Sequence, residues 1–190
     1  MKKFFGHVAV IGAFISFSFP VYAHEAHVHG VAQMNLAVEG PEVEIELDSP
    51  LGNFISFENQ PETDAQKQEV RDMALIMREA DKLFTLPPAA GCQLQEVSLE
   101  SDALSADLLS PAGVRQVAAQ NETGDEQAGD GHADLEAKIA FTCRNPEKLN
   151  SLTVNMFRAF PNLHEIEVQM VTPTGQKAAE LTPESSTIRW

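Results

Sequence analysis

Positive charge and cysteine are both scarce in this chain. Lysine and arginine together number 13 against 28 aspartates and glutamates, a formal net charge of −15. A surface that acidic excludes nucleic acid and anionic lipid as partners and leaves cations as the species that gather near it. Only Cys92 and Cys143 carry thiols. Their spacing is far from Cys-x-x-Cys, the pattern of a thiol redox or metal site, so the pair reads as one structural disulfide in an oxidising compartment. Closing a loop of that length stabilises by about 4 kcal/mol in the chain-entropy model. The signatures of catalysis are missing as well. There is no Gly-x-Ser-x-Gly elbow, no phosphate-binding glycine loop and no His-Glu-x-x-His. Nothing places serine, histidine and acid together, and the chain reads as a non-enzyme.

Long apolar runs are also absent beyond the N-terminus. Lys2 and Lys3 precede an apolar stretch over residues 8–19, too short to span a bilayer, and Pro20 breaks it. Val21-Tyr22-Ala23 then offers small residues where a signal peptidase reads. Residues 1–23 are therefore expected to be a signal peptide cleaved after Ala23, with no lipid-bearing cysteine at the cut. Its removal takes two lysines and no acids, moving the formal charge from −15 to −17. The expectation is an exported, periplasmic chain that does not insert in the membrane, with residues 24–190 forming a single domain around one core.

Period-two alternation is the strongest structural signal. Ala32, Met34, Leu36 and Val38 alternate with polar or small residues, Gly40-Pro41 turns the chain, and Val43, Ile45 and Leu47 alternate with acids. Residues 32–48 thus predict a β-hairpin. Residues 49–62 read as a loop. Thr63 with Gln66 predicts a capped helix start, and Val70, Met73, Ala74, Met77 and Ala80 form one apolar stripe. The Met73/Met77 pair is read as core packing, not as thioether ligands. Residues 92–100 predict a strand with a bulge between Leu94 and Val97. Near 110–131 the chain becomes a polar, acidic excursion of weak periodicity, expected to be flexible. Leu135, Ala137, Ile139, Phe141 and Cys143 mark one face of a following strand. Asn145-Pro146 fits a helix start, and residues 152–160 fit a strand or a helix. A last pair of strands turns at residues 172–175. The fold class is α+β: a mostly antiparallel sheet, one clear amphipathic helix, one or two short helices and one disulfide.

Three of the six histidines fall in His24-Glu25-Ala26-His27-Val28-His29, at the expected mature N-terminus. If the first strand reaches back this far, His27 and His29 share its wetter face with Gln33 and Asn35, and two imidazoles on one side of a strand make a pair of nitrogen ligands. His24 could add its own imidazole and a free α-amine. His132 and Asp134 are again two apart, beside Asp130 and Glu136. His164 is in phase with Ile166, Val168 and Met170, which predicts a buried, hydrogen-bonded ring. The acidic run from Asp125 to Glu136 reads as a solvated loop. Zinc suits imidazole and carboxylate donors, and copper or nickel would suit them too. A metal-independent interaction module with surface histidines is the alternative reading.

These residues also resemble a known family. His24-Glu25-Ala26-His27-Val28-His29-Gly30-Val31-Ala32, Asp48-Ser49-Pro50, Gly91-Cys92, His132-Ala133-Asp134, Phe141-Thr142-Cys143 and Phe160-Pro161-Asn162-Leu163-His164 occur in order. They are followed by Val171-Thr172-Pro173-Thr174-Gly175-Gln176 and Ala179-Glu180-Leu181-Thr182-Pro183. Together they resemble the ZrgA-type family of zinc-regulated periplasmic zinc-uptake proteins of Gram-negative bacteria, over nearly all of residues 24–190. The resemblance implies reversible zinc binding and hand-over to an inner-membrane transporter. Members often carry a His/Asp/Glu-rich tract in the excursion before His132, but residues 121–131 here hold acids and no histidine. The resemblance therefore implies a single site on His27, His29 and His132, with His24, Asp134 and His164 as further candidates, rather than high-capacity scavenging.

Overall fold

The computed structural model describes residues 28–110 and 133–190. In chain order its elements are β1 (Val31–Glu39), β2 (Glu42–Pro50), α1 (Asp64–Arg78), α2 (Ala80–Leu83), β3 (Phe84–Thr85), β4 (Cys92–Glu100) and α3 (Ala106–Leu109). Then follow β5 (Asp134–Cys143), β6 (Ser151–Val154), α4 (Met156–Ala159), β7 (Glu165–Thr172), β8 (Gly175–Leu181) and β9 (Thr187–Arg189). Single 3-10 turns lie at Leu51–Asn53, Pro88–Ala90 and Pro146–Lys148.

The alternating hairpin is the centre of the sheet. β1 and β2 pair antiparallel through a two-residue turn in which Gly40 takes φ 56°, a left-handed value that glycine adopts without a Cβ clash. Six strands run in the order β4-β5-β2-β1-β7-β8, and a second sheet runs β3-β6-β9. Every pairing is antiparallel except β1 with β7, which run parallel. The inward positions of the large sheet, such as Met34, Ile45, Ile139 and Val168, are buried in one cluster with Val70, Met73, Ala74 and Met77 of α1 and with Phe84, Leu152 and Ile188 of the small sheet. The helix starts as expected: Thr63 and Gln66 exchange backbone hydrogen bonds in a capping box.

The expected bulge lies between Leu94 and Glu96, and Cys92 pairs directly with Cys143 across β4 and β5, where the disulfide forms. Residues 151–159 turn out to be both of the expected alternatives in succession, β6 and then the one-turn α4. At Asn145 the side chain does not cap a helix. It donates instead to the Ala89 carbonyl at 2.9 Å, so only a 3-10 turn follows.

Two expectations about the histidines are corrected. β1 does not reach back to His29, because a turn closes at Val28–Val31 (Val31 N to Val28 O, 3.0 Å) and Gly30 takes φ 87°. His164 is exposed, not buried. Phase counting from Ile166 assumed that the strand continued, but β7 begins at Glu165 and His164 sits in the chain that leads into it. His24, His27, His132, Asp130 and almost all of the acidic excursion near 110–131 lie outside the described residues, as do residues 1–23.

Candidate metal centre

Topology gathers four chain segments at one end of the large sheet. β1 and β7 are parallel, so the residues before each lie at the same end. β2 runs the other way and finishes there, and β5 starts there, with Asp134 opposite Pro50. His29, His164, Asp134 and the loop after Pro50 are thereby brought to neighbouring strand ends.

A buried asparagine ties the first segments together. Asn53 is 2% exposed. Its Oδ1 accepts from the Gly30 amide at 2.7 Å, and its Nδ2 donates to the Val31 carbonyl and to Ser49 Oγ, each at 2.9 Å. Every hydrogen-bonding direction that matters at this depth is met within the protein, as a buried amide requires. The Gly30 carbonyl in turn accepts from the amides of His164 at 2.7 Å and Glu165 at 3.0 Å. Asn162 Nδ2 donates to the Gly52 carbonyl at 3.1 Å. The segment before β7 is thus stitched to both ends of the hairpin.

Two glycines make room for the side chains. A Cβ on Gly30 would stand 3.0 Å from Cδ2 of His164, so that ring rests on the glycine backbone. A Cβ on Gly52 would stand 2.5 Å from Oε1 of Glu58 and 3.4 Å from Nδ1 of His29. Above Gly52, His29 Nδ1 and Glu58 Oε1 approach to 3.2 Å. The imidazole is 62% exposed and the carboxylate 18%, so the acid is the anchored partner and the ring reaches outward. Glu58 and Asp134 each turn one carboxylate oxygen away from solvent. A carboxylate beside one imidazole nitrogen is the kind of neighbour that orients a histidine ring and leaves its other nitrogen facing outward.

Of the candidates named from sequence, the structure sets the His29 ring by Gly52, the His164 ring against Gly30, and Asp134 at a nearby strand end. Among the described residues no group of three or more His, Cys, Asp and Glu side chains is arranged to hold a metal ion. Glu58, Gly52 and Asn53 were missed by sequence reasoning. A signal for them existed. Partners in the hairpin sum to 81, as in Gln33 with Asp48 and Glu39 with Glu42, and carrying that register outward sets His29 level with Gly52.

A histidine–carboxylate pair thus sits on an anchored turn at the end of the large sheet. The chain belongs to the ZrgA family of zinc uptake proteins, whose model matches residues 26–190. That is a zinc uptake family and not an enzyme family. No curated protein matches the chain at a significant level of similarity. Among the described residues, no helix is long and apolar enough to cross a membrane.

Proposed function

We propose that the protein is a periplasmic zinc-binding accessory of zinc acquisition, secreted by a signal peptide cut after Ala23 and acting as a single domain over residues 24–190. His29 binds the ion through Nε2, with the Glu58 carboxylate beside its Nδ1. His164, Asp134 and the remaining histidines His24, His27 and His132 are the pool from which the other ligands come. In sequence His27 is two residues from His29 and His132 two from Asp134. Mass action loads the site, protons compete for the imidazole nitrogens as pH falls, and transfer to an inner-membrane transporter empties it. No bond-making chemistry is involved.

The observation that carries this reading is the 3.2 Å His29–Glu58 pair on a turn fixed by Asn53, in a chain of the zinc uptake family. Calorimetric zinc titration of the metal-free mature protein tests it. Wild type is expected to bind with measurable heat, and His27→Ala combined with His29→Ala to lose most of it. Wild-type affinity in that double variant, or no heat and no melting shift in wild type, would sink the reading. Parallel titrations with copper and nickel rank the metals, since intrinsic affinity alone favours copper.

A further inference from the structure

Among the described residues nothing covers the outward face of the large sheet: the helices and the small sheet share the core on the other side. The register aligns its outward residues in rows. Nearest the candidate metal end, one row crosses all six strands as Glu100, Glu136, Asp48, Gln33, Glu167 and Glu180. An ordinary solvated face mixes signs, because like charges directly opposite each other repel. In this row acids stand directly opposite each other, Glu100 with Glu136, Glu136 with Asp48 and Glu167 with Glu180, whereas the next row sets Lys138 opposite Glu46.

Behind that row the face changes character. An open groove of about 680 Å³ runs over β2, β1, β7 and β8. Its floor sets the small or apolar Ala37, Val171 and Ala178 among Asn35, Gln169 and Gln176, and Val171 is 53% exposed. Glu44 and Glu46 stand on one wall. Among the described residues Lys177 is its one cationic lining residue, and that ammonium donates to the Arg189 carbonyl at 3.0 Å.

We propose that this groove docks a lysine- or arginine-bearing segment of another protein, the recipient of the metal. A floor with apolar patches beside two carboxylates fits a basic side chain along its length: the aliphatic stem covers Ala37, Val171 and Ala178, and the charged head meets Glu44 or Glu46. The acidic row lies between the groove and the candidate metal end, so a basic partner seated here is steered toward that edge. The identity of the partner as a metal recipient rests on the proposed function; the docking chemistry does not.

Amide chemical shifts of the isotope-labelled full mature protein, titrated with a synthetic ten-residue Lys-Ala repeat at low salt, test the proposal. The expected result is saturable shifts confined to β1, β2, β7 and β8 around Ala37, Val171 and Ala178. Glu44→Lys with Glu46→Lys should weaken the peptide by about tenfold or more, and Val171→Ser by about threefold, with zinc affinity unchanged in both. Shifts spread evenly over the acids of α1 as well, or indifferent to Val171→Ser, would mean unspecific attraction and overturn it. So would concentration-dependent dimerisation that broadens the groove amides, because a second copy would then be the occupant. Zinc titration is read separately, so a protein that binds peptide but no zinc sinks the functional reading and leaves the groove standing.

Discussion

Asn53 accepts a hydrogen bond from the amide of Gly30 at 2.7 Å, although 23 residues separate them. That bond joins the turn carrying His29 to the loop carrying Glu58. It converts two irregular segments into one fixed frame at the end of the β-hairpin.

Replacing Asn53 with alanine is expected to loosen this frame. The Gly30 amide and the Val31 carbonyl would each lose a partner, and a buried group left unsatisfied costs about 1–3 kcal/mol. Denaturant unfolding should therefore show a loss of about 2 kcal/mol or more. Zinc affinity should fall alongside it, while Ser151→Ala, at an exposed hydroxyl remote from the site, should change neither.

Glycine substitutions separate the site from the fold. Gly52→Ala brings a Cβ to within 2.5 Å of Glu58 Oε1, but that atom ends a flexible side chain and can swing away. The expected outcome is a near-native melting temperature with zinc affinity reduced about tenfold or more, the scale typical of losing a carboxylate that orients a metal-binding histidine. Gly30→Ala is different. Its φ of 87° strains any side chain and its Cβ meets the His164 ring at 3.0 Å, so stability should fall as well, by about 1–2 kcal/mol. Equal behaviour of the two variants in paired melting and zinc titrations would refute this division.

Much of the frame was legible in the residues because it rests on local periodicity. The alternation of Ala32, Met34, Leu36 and Val38 with polar or small residues, and of Val43, Ile45 and Leu47 with acids, pointed to a one-sided hairpin, and Thr63 with Gln66 to a helix start. The parallel contact of β1 with β7 was not legible, since two strands more than a hundred residues apart leave no shared pattern. The exposure of His164 was misread for a related reason: phase along a strand says nothing about a residue that precedes it. Glu58 stands in a loop without period, and only the hairpin register pointed near it.

The disulfide should support the fold without touching the site. Cys143 ends β5, whereas Asp134 begins it, so the bridge and the candidate metal end lie at opposite ends of the strand. Cys92→Ser with Cys143→Ser is expected to cost about 2–4 kcal/mol in denaturant unfolding, because the unfolded chain regains the freedom of a 51-residue separation. Zinc affinity measured well below the new melting temperature should be unchanged. A large loss there would place the bridge among the supports of the metal end.

Charge on the outward sheet face gives a pH-dependent prediction. Glu180 is paired directly with Glu167, and together they help to hold the Glu165 carboxyl above its usual range, after the leading effect of lost solvation. An acid whose folded pKa is raised keeps its proton more readily in the folded state. Its contribution to stability is intact below the unfolded value, about 4.3 for glutamate, and is lost as pH rises through the folded value. At neutral pH the native protein therefore carries a repulsion that Glu180→Lys should relieve. Zinc-free protein with this substitution is expected to melt higher than wild type at pH 7 in low salt. The gain should shrink in 1 M salt, where charges are screened within about 3 Å. It should also fade as the buffer is taken below about pH 4, where the carboxylates become neutral in both states. A gain that persists unaltered at low pH and high salt would mean that packing at the β8 edge, and not charge, sets the stability there.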